Sequence, residues 1–132
     1  MERTLVILKP DTLRRKLAGE IIARFEKKNL EISKLKLAPI NRETAEAHYA
    51  HVRGFVHYAE MIDYVTSAPS LILVLTGEKA VSVVRGMIGK TNSFEALPGS
   101  IRGDYGAHLF ENLVHASDST ENAEIEINRF FG

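Results

Sequence analysis

The sequence predicts an α+β fold: a ferredoxin-like, four-stranded antiparallel sheet with helices packed on it. Three observations lead there. Hydrophobic periodicity gives the order β-α-β-α-α-β-α-loop-β-α, a split βαβ pattern. The run Leu71 to Leu75 is apolar without a break, as in a central strand covered on both faces. No repeat, linker or low-complexity stretch divides the chain, so its 132 residues read as a single domain, 1–132, large enough for its own core.

In order along the chain, Thr4 to Leu8 is a short β-rich apolar run, stopped by Lys9-Pro10, with Asp11-Thr12 as a turn or helix start. Leu17, Ile21 and Phe25 recur at helical spacing, and Lys27-Lys28-Asn29 closes that helix with positive charge at its C-terminus. Leu30 to Ile40 returns to β. Its apolar parity switches between Ile32 and Leu35, which predicts a bulge near Ser33-Lys34. Asn41 caps a short helix carrying Ala45, His48 and Tyr49, and Arg53-Gly54 interrupts it. Tyr58, Met61, Ile62 and Val65 mark a second short helix, broken at Ala68-Pro69. After the central strand, Gly77 turns the chain, and Ala80, Val83, Val84, Met87 and Ile88 form an amphipathic helix ended by Gly89. Lys90 to Asp104 reads as a loop long enough to carry function. A fourth strand is predicted over Ala107 to Val114, then a last helix burying Ala123, Ile127, Phe130 and Phe131, with Asp118 and Glu121 spaced as a capping box.

Apolar residues make up 45% and charged residues 26%, ordinary for a globular protein, and the formal net charge is zero. Zero net charge argues against a nucleic-acid binder working by bulk charge. With no cysteine there is neither a disulfide nor a thiolate metal site. Met1-Glu2-Arg3-Thr4 leads straight into a strand without an apolar signal region, and no apolar stretch approaches the roughly 20 residues of a membrane helix. A cytoplasmic protein that spans no membrane is the expectation.

The candidate chemistry centres on His115, placed where the fourth strand stops and the last helix begins, a point that favours anions. A histidine there serves as nucleophile, base, metal ligand or filler. Lys9, Arg85 and Arg102 lie near element ends or in the long loop, and Thr91 and Asn112 add neutral donors. If they converge on His115, they form the set phosphoryl transfer needs, in which positioning and charge stabilisation dominate. Taken singly, each cation has a solvated surface as its alternative. Glu126 either pairs with Arg129 on the helix surface or accepts a hydrogen bond from His115, fixing its tautomer and freeing the other nitrogen. His48 and His51 are three apart on a helix, but no His-Glu-x-x-His pattern or obvious third ligand supports protein-bound zinc. Gly86 to Thr91 fails as a P-loop: the required first glycine is Val84, and the Gly-Lys-Thr triplet follows a helix. The aromatic strand motif of an RNA-recognition module is missing.

The stretch Asn112-Leu113-Val114-His115-Ala116-Ser117-Asp118-Ser119 closely resembles the active-site signature of the nucleoside diphosphate kinase family, N-x-x-H-G/A-S-D. Lys9-Pro10-Asp11, His48-Tyr49, Arg85, Thr91 and Pro98 to Asp104 fall in the family's order, so the resemblance runs nearly end to end. It implies a ping-pong kinase in which His115 is the nucleophile and becomes phosphohistidine. Lys9, Tyr49, Arg85, Thr91, Arg102 and Asn112 would surround phosphates and sugar, and Ser117 and Glu126 would position the histidine. Substrates would be nucleoside tri- and diphosphates, with Mg²⁺ held mainly by their phosphates and Asp118 as a further possible ligand. It also implies a homo-oligomer, with a hexamer favoured over a tetramer or dimer.

Some positions depart from that pattern. His57 stands where most members have a base-stacking Phe, so nucleotide affinity should vary between about pH 5 and 8. Thr12 replaces a frequent Gly, Met61 a common Leu, and Ser93-Phe94-Glu95-Ala96-Leu97 a more polar loop near subunit contacts.

Overall fold

Four strands hydrogen-bond in the order β2-β3-β1-β4, every neighbouring pair antiparallel, in a computed structural model describing residues 1–132. They are β1 (Glu2–Leu8), β2 (Glu31–Ala38), β3 (Ser70–Gly77) and β4 (Val114–Ala116). This is the predicted ferredoxin-like arrangement. In β1, Leu5 and Ile7 face one way and Val6 and Leu8 the other, and all four are fully buried. Strand alternation therefore feeds two cores. One packs Val6, Leu8, Leu73 and Leu75 against α2 (Ala18–Lys27) and α5 (Ala80–Ile88), through Ile21, Phe25, Val84 and Ile88. The other packs Leu5, Ile7, Ile72 and Val74 against α3 (Arg42–His48), α4 (Tyr58–Thr66) and α7 (Thr120–Phe131), through Ala45, Ile62, Val65, Ile127 and Phe130. The prediction that Leu71 to Leu75 is covered on both faces holds. So does the bulge, since the β2–β3 register shifts between Ile32 and Lys34.

Asn41 caps α3 as predicted, its side chain accepting from Thr44 N at 2.8 Å. Pro10 occupies the first turn of a separate short helix, α1 (Pro10–Arg14), where its fixed φ and missing N–H do no harm. Gly89 ends α5 at φ 84°, and a Cβ there would lie 2.5 Å from Ser100 Oγ, so both conformation and space call for glycine. No helix is long and apolar enough to cross a membrane.

The C-terminal third differs from expectation in three places. The fourth strand is only Val114–Ala116, and His115 is its middle residue, not the residue beyond its end. Of the predicted run Ala107 to Val114 only Val114 lies in the strand, and Leu113, at φ 75°, breaks strand alternation between Asn112 and Val114. The long loop contains a helix, α6 (Ile101–Tyr105), capped by Ser100, whose side chain accepts from Gly103 N. Gly103 is essential to that turn, since a Cβ would come within 1.9 Å of Leu97 O. The cap of α7 is Ser119, accepting from Asn122 N at 3.0 Å, one residue later than the Asp118–Glu121 box placed it. Asp118 instead accepts from the Asn122 side chain at 2.7 Å.

Candidate active site

A cleft of about 890 Å³ opens between β4, the start of β1's outgoing turn, and helices α3, α5, α6 and α7. Lys9, Tyr49, Arg85, Thr91, Arg102, Asn112, His115, Asp118 and Glu126 all line it. Residues far apart in sequence thus converge, which spacing alone left open. Ser117 does not line the cleft. It lies fully buried behind it and reaches His115 through Glu126. His57 does not line it either. It stands at the rim, ring centroids 5.5 Å from Phe55 and 6.1 Å from Phe110, with Nδ1 3.2 Å from Glu60.

His115 is held by its partners on α7 and β1. Its Nε2 lies 3.1 Å from Glu126 Oε1, and Ser117 Oγ donates to the same oxygen at 2.6 Å. Ser117 is in turn fixed by Leu5 N, which donates to its Oγ at 3.1 Å. Burial tends to raise the Glu126 pKa, but the bonds from His115 and Ser117 outweigh it and the net shift is downward, so the carboxylate stays ionised. It can therefore accept from an Nε2–H, which leaves Nδ1 of the same ring with the lone pair. Nδ1 makes no hydrogen bond within the protein. Burial, with Lys9 and Arg102 nearby, lowers the His115 pKa against the opposing pull of Glu126, and keeps the ring neutral at pH 7.

The cations are built in at some cost. Lys9 is 5% exposed, donates to Asn112 Oδ1 at 2.8 Å and sits over the Tyr49 ring. Burial first, then Arg102, pushes its pKa down to about 7, against the pull of Asp11. Asn112 passes the chain of bonds on, donating to Thr91 O at 2.8 Å. Arg102 is 4% exposed, and its guanidinium is shared among three carbonyls: Asn112 O at 3.3 Å, Gly89 O at 3.0 Å and Val114 O at 2.5 Å. Burial and then Arg85 push its pKa down to about 10, so it remains charged at neutral pH. Arg85 donates to Ala116 O at 3.4 Å.

Some cleft residues were not singled out from the sequence. Phe55, Leu109 and Phe110 give it an apolar end, beside which His57 stands. His48 is 3% exposed and meets the His115 ring edge-on at a centroid distance of 4.3 Å. Donor atoms of His48, His115 and Glu126 lie within 4.8 Å of one another. Arg129 Nη1 lies 3.0 Å from His48 Nδ1, however, and burial, followed by the neighbouring His115 and then Arg129, pushes His48 far below the ordinary imidazole value. A cation would thus enter beside a guanidinium, and two imidazoles with one shared carboxylate are a poor donor set for Mg²⁺, which prefers oxygen.

A ferredoxin-like sheet with a cation-lined cleft and a carboxylate-braced, neutral imidazole defines a class, the phosphotransferases of this α+β type. Comparison narrows the class. The sequence model of the family described as nucleoside diphosphate kinase matches residues 2–132, and the chain belongs to that family. The nucleoside diphosphate kinase of Acetivibrio thermocellus is 59% identical over 131 residues, covering 99% of this chain and 96% of that protein. That of Methanocaldococcus jannaschii is 51% identical over 130 residues, covering 98% and 93%. Among solved structures, the apo enzyme from Encephalitozoon cuniculi superposes with a TM-score of 0.97 at 42% identity, covering all of this chain and 90% of that one. The Halobacterium salinarum enzyme in complex with CDP gives 0.94 at 39% identity, covering 98% and 87%.

Proposed function

We propose that this chain moves the γ-phosphoryl group of a nucleoside triphosphate to a nucleoside diphosphate in two steps, through phosphohistidine on His115. The observation that carries the reading is the 3.1 Å pairing of Nε2 with Glu126, which leaves Nδ1 as the free nitrogen. The Nδ1 lone pair attacks the γ-phosphorus. The P–O bond to the β-phosphate breaks, and the diphosphate leaves with that electron pair. A second diphosphate then attacks the phosphorus through its terminal oxygen, the P–N bond breaks, and the lone pair returns to Nδ1. Holding the group covalently between donor and acceptor lets one site serve both.

In this reading Glu126 keeps the Nε2 proton and offsets the positive charge the ring gains on phosphorylation. Lys9, Arg85 and Arg102 supply charge toward the phosphoryl oxygens, and their value rises as the bound nucleotide displaces water from the cleft. Tyr49, Thr91 and Asn112 complete the phosphate and sugar contacts. The base lies toward Phe55 and Phe110, beside His57. Mg²⁺ fits the donors present if the nucleotide supplies most of the ligands, since Asp118 leaves one carboxylate oxygen free of the Asn122 bond and stays ionised. When bound it neutralises charge on the phosphoryl oxygens.

The nucleotide substrates suggest a cytoplasmic setting. The reading includes a homo-oligomer, with a hexamer favoured on the family resemblance; Phe94 and Leu97, 73% and 76% exposed on the cleft-side loop, are apolar surface that a neighbouring subunit would cover. Sedimentation velocity tests the assembly. For the reaction, ATP and Mg²⁺ should add one acid-labile phosphate at His115, measured by intact mass, and added GDP should remove it. His115→Ala should take none while keeping the fold. Bound nucleotide without any adduct would point instead to a nucleotide-binding module.

A further inference from the structure

Of the four non-glycine residues with positive φ, only Leu113 is buried. It is fully buried at φ 75°, and Val114 N donates across it to Asn112 O at 2.9 Å. That is a γ-turn with a left-handed central residue, a rare and strained conformation for a branched side chain. The turn sets the directions of Asn112 on one side and of Val114 and His115 on the other.

Such a conformation persists only where its surroundings over-determine it. Here the restraint comes from the segment that follows β1. The Leu113 N–H donates to Asp11 Oδ2 at 3.1 Å. The Leu113 carbonyl accepts from Thr12 Oγ1 at 2.6 Å and from Lys9 N at 2.8 Å. The other Asp11 oxygen accepts from Tyr64 OH, which itself accepts from Asp11 N at 2.8 Å and so ties the clamp to α4. Asp11 and Thr12 are 1% and 0% exposed and do not line the cleft. Neither is placed to touch a substrate.

We infer that Asp11 and Thr12 are positioning residues: together they hold the Leu113 peptide in its γ-turn and so keep His115 and Asn112 aimed into the cleft. The inference rests on the reading of His115 as phosphoryl acceptor. Thr12 is the more telling member because its hydroxyl is the closest contact to the turn. A methyl in its place removes the bond and presses on the carbonyl. Thr12→Ser keeps the hydroxyl.

The experiment measures single-turnover phosphorylation by ATP and Mg²⁺, nucleotide affinity by calorimetry and melting temperature. The proteins are wild type, Thr12→Val, Thr12→Ser and Tyr64→Phe. Misaiming by a fraction of an ångström should slow phosphorylation by Thr12→Val roughly 10- to 100-fold. Nucleotide affinity should change less than about threefold, because the phosphate cations stay in place. Thr12→Ser should recover to within about threefold of wild type, and Tyr64→Phe should fall between them. A normal phosphorylation rate in Thr12→Val overturns the inference. So does equal loss in Thr12→Val and Thr12→Ser, or loss that only tracks melting temperature. Should Thr12→Val not fold, the rate of Tyr64→Phe relative to Thr12→Ser decides by the same criteria. Absence of phosphate on wild-type His115 would instead refute the phosphohistidine reading, so the two failures are distinct.

Discussion

Lys9 gives the sharpest physical prediction. Its ammonium is buried beside Arg102, and its pKa falls from an ordinary 10.5 to about 7. At roughly 1.4 kcal/mol per pH unit, folding therefore opposes the charged form by about 5 kcal/mol, an upper value given structural relaxation. The sign follows from proton binding. Between pH 7 and 9 the unfolded chain keeps this proton, while the folded chain goes from about half protonated to about 1%. The unfolded state binds more protons throughout this window, so stability rises with pH. Integration gives a gain of about 2 kcal/mol for the ligand-free protein, or roughly 7 °C in melting temperature for a chain of this size. Urea titration at half-unit pH steps measures it directly. In Lys9→Met the gain should vanish and the profile over pH 7 to 9 should be flat, although the lost bond to Asn112 lowers the whole curve by about 1 kcal/mol. Nucleotide phosphates should return the proton to Lys9, so binding at pH 8 should take up close to one proton, read from calorimetry in buffers of different ionisation enthalpy. Parallel pH profiles for wild type and Lys9→Met would refute the argument.

Two further outcomes follow from the same cleft. Glu126→Gln should slow phosphorylation roughly 10²-fold by loosening the His115 ring. Because the carboxylate opposes the lowering of the His115 pKa, its loss should move the acid limb of the pH–rate profile to still lower pH; a limb that stays or moves up would separate Glu126 from His115. His57→Ala should weaken nucleotide binding roughly threefold to tenfold by removing a ring from the base-binding end. An affinity unchanged by this substitution would remove His57 from that end, where it stands beside Phe55 and Phe110.

Most of the fold was legible because its signals are local. Ile21 and Phe25 lie one helical turn apart, Leu71 to Leu75 is a solid apolar run, and the Ile32–Leu35 parity switch is a bulge written in four residues. The misread parts depend on contacts from elsewhere. Ala107 to Val114 has the composition of a strand, but Leu113 is turned by Asp11, Thr12 and Lys9, a hundred residues away. Helix α6 has only five residues, too few for a periodic pattern to register, and it exists because Ser100 caps it and Arg102 is pinned to three carbonyls. His57 shows the limit of alignment by position. It stands at the rim, while Phe55 and Phe110 form the apolar end of the cleft itself.

The candidate site divides the same way. The order Asn112, His115, Ser117 was readable in one short stretch, and so was the possibility that Glu126 pairs with the imidazole. What spacing could not give is that two of the cleft's cations, Lys9 and Arg102, are buried before any ligand arrives. Arg102 is satisfied by carbonyls and remains a cation, while Lys9 is held near the edge of losing its proton. The two respond differently to a phosphate. Arg102 offers fixed charge at no further reorganisation, whereas Lys9 becomes fully charged only when an anion compensates its burial. A site built this way is least charged when it is empty. It gains its full field at the moment a phosphoryl group enters, where that field acts on the group to be moved.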